Sequence, residues 1–222
     1  MMLPAPRPAQ PLGEQRVVFA DDTLVVVSKP AGLLSVPGRG TDKADCAWSR
    51  VQASYPDALV VHRLDMGTSG LLVFGRGAAA QRALSMAFEQ RLTDKRYEAI
   101  VGGAVPDMAG EINLPLIADW PRRPRQMVDM VIGKPSLTRW ERLALETGLP
   151  GTTRLALFPV TGRSHQLRVH LQAIGHPIVG DELYAPPDIE TLAPRLLLHA
   201  SHLTLPHPAT GQAMAFHAPT PF

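Results

Sequence analysis

Alternation of apolar and polar residues predicts β-strands over much of this chain of 222 residues. Residues 17–20 and 23–29 are apolar runs joined by two aspartates, which is the pattern of a β-hairpin. Residues 70–75 form a short apolar run bounded by glycines, which predicts a buried strand. Three further strands are predicted, at residues 96–101, 137–145 and 153–160.

Two helices are predicted in the first half of the chain. Residues 78–92 carry apolar side chains at Leu84, Ala87 and Phe88 with polar residues between them, which is typical of an amphipathic helix. A shorter helix is predicted at residues 44–54.

A third helix is predicted at residues 165–174, directly after a strand. Its apolar stripe would consist of Leu167, Leu171 and Ile174. We expect the hydroxyl of Ser164 or Thr161 to cap its start, and Gly175 fits its end. Arg168 then lies off the apolar stripe, near the beginning of the helix.

These elements follow one another irregularly, with hairpins and without a regular βαβ rhythm. The predicted fold class is therefore α+β, with a mixed, largely antiparallel sheet and flanking helices and loops. Residues 1–16 are rich in proline and are predicted to form a flexible arm, and residues 17–222 are predicted to form one domain.

The composition indicates a folded globular protein. Apolar residues make up 45% of the chain and charged residues 19%, against an average near 25%. No apolar run reaches the roughly 18 residues that span a bilayer, and the start of the chain lacks the apolar core of a secretory signal. Cys46 is the single cysteine, so an internal disulfide is excluded and a cytoplasmic location without membrane partners is expected.

The distribution of charge is more informative than its sum, because the formal net charge is only +2. Basic residues cluster beside aromatic ones, and such clusters suit the phosphate backbone of a nucleic acid, although a solvated surface explains each cluster equally well. The clusters are Arg122, Arg123 and Arg125 near Trp120, and Lys95 and Arg96 beside Tyr97.

Motifs for other chemistries carry little weight in this sequence. Residues 75–80 fit the G-x-G-x-x-A pattern of dinucleotide-binding proteins, with Glu98 as a candidate ribose-binding acid. Glu98, however, falls in the middle of its strand and no further βαβ unit follows, so a strand-to-helix turn is the better interpretation. The eight histidines are scattered and no cysteine cluster exists, so no metal site is predicted.

Two dense polar segments interrupt an otherwise apolar chain. Residues 61–70, V-H-R-L-D-M-G-T-S-G, contain a lone carboxylate, Asp65. Residues 159–170, P-V-T-G-R-S-H-Q-L-R-V-H, lie at a strand-to-helix junction. A loop aspartate by itself usually caps a helix or makes a turn. The neighbouring His62 and Arg63 make a functional site the better interpretation, and we expect the two segments to line one pocket.

Both segments resemble motifs of the RluA family of RNA pseudouridine synthases. K-R-Y-E-A at 95–99, G-H-P-I-V-G-D at 175–181 and R-L-L-L-H-A at 195–200 strengthen the resemblance, which extends from about residue 17 to the C-terminus. L-S-V-P-G-R at 34–39 and L-P-L-I-A-D-W-P-R-R-P-R-Q at 114–126 further resemble members that act on both 23S ribosomal RNA and tRNA. Many members carry an N-terminal S4 domain, which this chain is expected to lack.

The resemblance implies the pseudouridine synthase catalytic fold and an isomerase. The C1′–N1 bond of uridine breaks, the uracil turns, and a C1′–C5 bond forms. Since no atom is added or lost, one carboxylate can serve, and neither cofactor nor metal is implied. The implied targets, for a monomeric enzyme, are position 32 in the tRNA anticodon stem-loop and position 746 of 23S ribosomal RNA. A different uridine target and a non-catalytic RNA-binding relative remain alternatives.

The family motifs also assign roles to individual residues. Asp65 matches the catalytic aspartate, and whether it adds to the sugar or the base, or removes a proton from C2′, stays open. Arg168 would pair with Asp65 and keep it ionised. Tyr97 would stack on the uracil.

The remaining assignments concern RNA binding. A uridine inside a stem-loop must be flipped out before it can react, and Arg63 is expected to fill the vacated space, with His62 as a further RNA contact. Leu197 or Leu198 would form an apolar pocket wall. Phosphate contacts are expected from Lys95, Arg96, Arg122, Arg123 and Arg125.

Overall fold

The computed structural model of the chain describes residues 15–38, 40, 43–144 and 147–222. The predicted arm at residues 1–16 lies almost entirely outside the described residues, as do Arg39 of the L-S-V-P-G-R motif and Leu145 at the end of a predicted strand. Within the described ranges, no helix has the length and apolar character needed to cross a membrane.

The described residues form twelve β-strands, four α-helices and a 3₁₀ turn at Trp120–Arg122. The strands are β1 (Arg16–Ala20), β2 (Leu24–Lys29), β3 (Ala58–Val60), β4 (Ser69–Arg76), β5 (Asp94–Gly102), β6 (Ala109–Asn113), β7 (Leu116–Ala118), β8 (Gln126–Val128), β9 (Leu137–Ala144), β10 (Thr152–Pro159), β11 (Leu198–Pro206) and β12 (Ala213–His217). The helices are α1 (Ala47–Gln52), α2 (Gly77–Glu89), α3 (Gln166–Ala173) and α4 (Pro187–Glu190). The predicted α+β class with a largely antiparallel sheet is confirmed.

Contacts within the chain group it into two compact units. Among the described residues, the first consists of those up to residue 94 together with 202–219, and the second of those from residue 95 to 201 together with 220–222. The strand β11 contributes residues 202–206 to the first unit and residues 198–201 to the second.

In the first unit, β2 lies between β1 and β4 and pairs with both in antiparallel fashion, so that Val27 is opposite Val17 on one side and Leu72 on the other. The short strand β3 pairs with β4, and β12 pairs with β11. Helix α2 packs on one face of these strands through a buried cluster of alternating strand residues. The cluster includes Leu24, Val26, Leu71, Val73, Leu84, Leu203 and Leu205.

The glycines at residues 75–80 have a packing role. A Cβ on Gly75 would lie 2.6 Å from the backbone of Gln81, so only glycine allows β4 to run this close to α2. Gly77 begins α2 with a φ of +75°, a left-handed conformation that favours glycine. The G-x-G-x-x-A pattern is therefore the strand-to-helix turn that the sequence predicts.

A hydrogen-bonded aspartate joins two turns of the first unit. The Asp21 carboxylate accepts the backbone N–H groups of Thr23 at 2.7 Å and Leu24 at 2.9 Å, and it lies 2.9 Å from Nε2 of His207. Burial alone would raise the pKa of Asp21, but the hydrogen bonds from Thr23, His207 and Leu24 outweigh it and lower the pKa from 3.8 to about 2.

Asp21 is expected to stabilise the first unit only while it is ionised. Because its pKa is lower in the folded chain, its contribution is complete above about pH 4 and is lost as the pH falls through about 2. We expect the ionised Asp21 to contribute about 1–2 kcal/mol to the free energy of unfolding, after allowance for solvent screening of a partly exposed side chain. Asp21→Asn should lower the urea midpoint of unfolding near neutral pH. The urea midpoint of this variant should also decrease less than that of the unchanged chain as the pH is lowered.

Asp22→Asn is the matched control, because the Asp22 side chain is fully exposed. Urea midpoints measured across the acid range test the expectation. An Asp21→Asn profile that runs parallel to that of Asp22→Asn would contradict it.

In the second unit, residues 198–201 of β11 lie next to β5, followed by β10, β9 and the edge strand β6. Tyr97 is opposite Leu157, which in turn is opposite Trp140, and Thr138 is opposite Ile112. Helix α3 packs on this sheet in a cluster that includes Ala99, Val101, Leu155, Leu157, Leu167, Leu171 and Leu198. A separate hairpin, β7 and β8, packs through Leu116 and Val128 against Val169 and Tyr184.

Two details of the predicted α3 are wrong. Ile174 is 37% exposed and does not belong to the buried stripe. No hydroxyl caps the helix, because His165 occupies the N-cap position with a φ of 53° and makes no capping hydrogen bond. Arg168, which faces away from the predicted stripe, is nevertheless only 7% exposed.

Candidate active site

Asp65 lies in the loop between β3 and β4 of the first unit and is half-buried. The loop has no regular secondary structure, yet its backbone is hydrogen-bonded closely: the carbonyl of Asp65 accepts the N–H of Thr68 at 3.1 Å. Thr68, Ser69 and Gly70 are buried where β4 begins. This arrangement fixes the backbone of the carboxylate-bearing residue before any substrate arrives.

A buried lysine binds the same loop at Met66, the residue after Asp65. Lys29, at the end of β2, is 1% exposed. Its Nζ donates to the carbonyls of Met66 at 3.1 Å, Leu33 at 2.7 Å and Pro30 at 2.9 Å. The Met66 carbonyl also accepts the N–H of Gly32 at 2.9 Å. Since three carbonyl oxygens solvate this ammonium, its burial is compensated and the loop is tied to the sheet.

His62 and Arg63 differ in their surroundings. His62 is half-buried, its Nε2 accepts the N–H of Val73 at 3.1 Å, and its ring stacks on Phe88 with 4.5 Å between centroids. It therefore supports the loop against β4 and α2, and its role in RNA contact stays a prediction. Arg63 is exposed, and its insertion into RNA stays a prediction.

Tyr97 lies on β5 of the second unit and is half-buried. It packs against the cluster that contains Leu198 and Leu157. Leu197 instead belongs to a cluster with Ile100, on the other face of the sheet. Of the two predicted wall residues, Leu198 is the one that shares a face with Tyr97.

Arg168, on α3, is held by a buried carboxylate. Its Nε donates to Oδ2 of Asp181 at 2.7 Å and its Nη2 to Oδ1 at 2.6 Å, so the guanidinium fork is fixed in a bidentate pair. Asp181 is fully buried and also accepts the backbone N–H groups of Leu183 and Tyr184. The pairing of Arg168 with Asp65 stays a prediction.

Asp181 and Tyr184 are the residues that sequence reasoning missed. The Tyr184 hydroxyl accepts the N–H of Gln126 at 2.7 Å and shares a hydrogen bond of 2.8 Å with Nδ1 of His165. The guanidinium of Arg168 lies over its ring, with 5.0 Å from Cζ to the centroid. Asp181 ends the motif G-H-P-I-V-G-D, so a signal was present although it did not reveal the partner.

The predicted phosphate contacts fall in two places. Around the 3₁₀ turn, Arg122 is exposed and pairs with Asp119 at 2.7 Å, while the guanidinium of Arg123 lies 3.7 Å from the ring centroid of Trp120, which is 67% exposed. Arg125 is half-buried and lies over the ring of Tyr184.

The second predicted pair, Lys95 and Arg96 on β5, is half-buried. Arg96 donates to Glu98 at 3.1 Å. Its side chain is 31% exposed, against 67% for Arg122, so Arg96 is the less accessible phosphate ligand of the two. A phosphate contact by either residue of β5 stays a prediction.

Comparison with known proteins places these residues in a family. Residues 23–173 match the family model of RNA pseudouridylate synthase, and this segment is more than half of the chain. The chain belongs to the RNA pseudouridylate synthase family. It is therefore an isomerase that acts on uridine in RNA, and the predicted enzyme class is confirmed.

Relatives in this family cover almost the whole chain. The dual-specificity RNA pseudouridine synthase RluA of Escherichia coli K12 is 50% identical over 206 residues, which is 93% of each chain. The protein of the same name from Haemophilus influenzae is 49% identical over 207 residues, again 93% of each chain.

Solved structures agree with the fold of the synthase family. Human RNA Pseudouridylate Synthase Domain Containing 1 superposes with a TM-score of 0.79 at 27% identity, over 94% of this chain and 84% of the other. Human RNA Pseudouridylate Synthase Domain Containing 4 superposes with a TM-score of 0.72 at 22% identity, over 93% and 88%, and this likeness supports the fold alone.

No metal centre accompanies these residues in the described part of this synthase. Within residues 15–38, 40, 43–144 and 147–222, no group of three or more histidine, cysteine, aspartate and glutamate side chains is arranged to hold an ion. The candidate side chains are one loop carboxylate, a strand tyrosine, a helix arginine held by a buried aspartate, and exposed arginines.

Proposed function

We propose that this synthase converts uridine to pseudouridine at position 32 of tRNA anticodon stem-loops and at position 746 of 23S ribosomal RNA, as a cytoplasmic monomer. The observation that carries the proposal is an identity of 50% over 93% of the chain to a protein named as a dual-specificity RNA pseudouridine synthase. The exposed arginines around Trp120 support an RNA substrate, because they offer charge and a stacking surface together.

Asp65 is the proposed catalytic residue. The carboxylate attacks the nucleoside or removes the C2′ proton, the C1′–N1 bond breaks, and the freed uracil turns. The C1′–C5 bond then forms as the bond to the Asp65 carboxylate breaks, or as the proton taken by Asp65 returns to C2′ in the second route. The hydrogen of C5 is lost as a proton while N1 gains one, so the atoms balance without a co-reactant. The anchoring of the Asp65 loop by Lys29 supports this role, since a catalytic group must be held in place.

Tyr97 and Arg168 are proposed to act on the same uridine as Asp65. The Tyr97 ring would stack on the uracil, and Arg168 would pair with the carboxylate of Asp65. The bidentate hold of Asp181 on Arg168 supports this, because it orients the guanidinium without help from the substrate. Leu198, which packs in the same cluster as Tyr97, is the proposed apolar wall.

Arg63 is proposed to occupy the space that the flipped uridine leaves. It precedes Asp65 by two residues and is exposed, so a uridine brought to Asp65 passes close to this side chain. Its planar guanidinium can stack on the bases that remain in the stem-loop.

Removing Arg122 and Arg123 together should weaken RNA binding in a salt-dependent way. Each lost phosphate contact lowers the slope of log affinity against log salt by about 0.7–0.9, so we expect a decrease of about 1–2 and a similar loss for both RNAs. Affinity titrations between about 50 and 200 mM salt measure the slope. Arg139→Ala is the control, because Arg139 is an exposed arginine paired with Glu111. An unchanged slope in the double variant would exclude these residues as phosphate ligands.

Pseudouridine mapping tests the proposed targets. Purified protein is incubated with a tRNA anticodon stem-loop and, separately, with the 23S hairpin, and total RNA is compared with and without the gene. Conversion at both positions is the expected result. Conversion of another uridine would replace the proposed target within the family, and RNA binding without conversion of any uridine would indicate a non-catalytic relative.

A further inference from the structure

A buried serine hydrogen-bonds to the backbone of Leu64, the residue that precedes Asp65. Ser35 is 4% exposed, and its Oγ donates to the carbonyl of Leu64 at 2.6 Å while accepting the Leu64 N–H at 3.0 Å. One hydroxyl thus satisfies both backbone polar groups of Leu64, as a neighbouring strand otherwise would. Because the Leu64 carbonyl belongs to the peptide unit that links Leu64 to Asp65, the Ser35 hydroxyl sets the plane of that unit.

The backbone of Ser35 is itself hydrogen-bonded to helix α1. The carbonyl of Leu34 accepts the N–H of Ala47 at 2.7 Å, and the carbonyl of Ser35 accepts the N–H of Trp48 at 3.2 Å, at the first turn of α1. The hydroxyl therefore projects from a backbone with little freedom. It connects α1 to the Asp65 loop across 29 positions of sequence.

The residues before and after Asp65 are held by different hydrogen bonds. After Asp65, the Met66 carbonyl accepts from the Lys29 ammonium and the Gly32 N–H. Before Asp65, the hydroxyl of Ser35 makes the two hydrogen bonds to Leu64. Loss of the hydroxyl would leave the hydrogen bonds to Met66 intact and allow the peptide unit before Asp65 to rotate.

We propose that Ser35 is a positioning residue of this synthase, which aims the Asp65 carboxylate by fixing the peptide unit before it. The proposal rests on the proposed catalytic role of Asp65. A displacement of about 1 Å at a reacting group can cost about 100-fold in rate. Ser35 therefore affects the chemical step, whereas RNA affinity depends on other residues.

A second buried hydroxyl provides a matched control. Thr153 Oγ1, on β10, accepts the N–H of Val105 at 3.1 Å and donates to the carbonyl of Gly103 at 2.8 Å. It makes the same two kinds of hydrogen bond as Ser35, is equally buried, and supports a turn with no proposed catalytic residue. Thr153→Val removes this hydroxyl with little change in volume.

The experiment compares Ser35→Ala, Ser35→Thr and Thr153→Val with the unchanged chain. Each is measured for its single-turnover rate at saturating RNA, its RNA affinity and its urea midpoint, well below the unfolding temperature. We expect Ser35→Ala to slow turnover about 10- to 100-fold with RNA affinity within about twofold. Thr153→Val should keep its rate within about twofold at a similar loss of midpoint, and Ser35→Thr, which retains a hydroxyl, should recover most of the rate.

Two results would overturn the proposal: an unchanged rate in Ser35→Ala, or equal slowing in Ser35→Ala and Thr153→Val. If Ser35→Ala does not fold, Ser35→Cys takes its place, because a thiol is a weak hydrogen-bonding group of similar shape. A Ser35→Cys rate equal to that of the unchanged chain would then overturn it. If the unchanged chain makes no pseudouridine, the proposed function fails instead, so the two failures are distinguishable.

Discussion

Asp65→Asn is expected to abolish pseudouridine formation while RNA affinity stays within about twofold. The amide has the shape of the carboxylate, but it can neither attack a carbon nor accept a proton from C2′. Loss of such a group typically costs roughly 10⁴-fold or more in turnover. Rates on the tRNA stem-loop and the 23S hairpin, together with affinities for both, measure the effect.

Asp57→Asn is the control for this variant. Asp57 is a partly exposed aspartate of the same unit, and its partner is Arg76 at 3.1 Å. Its turnover should stay near that of the unchanged chain. Pseudouridine formation by Asp65→Asn at a measurable fraction of the normal rate would refute the assignment of Asp65, although membership of the family would stand.

Asp181→Asn is expected to lower the free energy of unfolding by about 3–5 kcal/mol. The substitution removes the bidentate carboxylate that holds the buried Arg168 guanidinium, and breaking a buried ion pair by removing one member is costly. Turnover should also fall, because the fork that orients Arg168 is lost. Chemical denaturation and single-turnover rates measure the two effects separately.

Glu111→Gln is the matched control for the ion pair. Glu111 pairs with Arg139 at 2.6 Å, but both side chains are more than half exposed, so the expected cost is about 0–1 kcal/mol. A double variant, Arg168→Met with Asp181→Asn, should cost less than the sum of its single variants, because the two side chains interact directly and both members of the ion pair are then removed together. Equal costs for Asp181→Asn and Glu111→Gln would show that the buried pair contributes little.

Local sequence pattern predicted most of the larger elements. Periodicity located β2, β4 and α2 to within three residues, because each buries a repeating set of side chains against a neighbour. The short strands β3, β7 and β8 were not predicted, since three residues carry too little periodicity. The burial of Arg168 was not predicted either, because Asp181 and Tyr184, which contact its guanidinium, lie in a segment that follows the helix.

For the candidate site, the sequence predicted reactive side chains and not the residues that support them. The roles of Asp65, Tyr97 and Arg168 are implied by the resemblance to family motifs and stay predictions. Ser35 holds Leu64 from 29 positions away and Asp181 holds Arg168 from 13, and a hydrogen bond over such distances leaves no local pattern. Such partners become visible only when the chain is folded.

The three carbonyl oxygens around the Lys29 ammonium indicate that the loop around Asp65 becomes ordered when the chain folds, before RNA binds. The entropy lost in arranging the loop around Asp65 belongs to the folding of the chain, so it does not weaken the association with RNA. We therefore expect the adjustments that admit a nucleotide to occur in exposed segments of the chain and in the RNA.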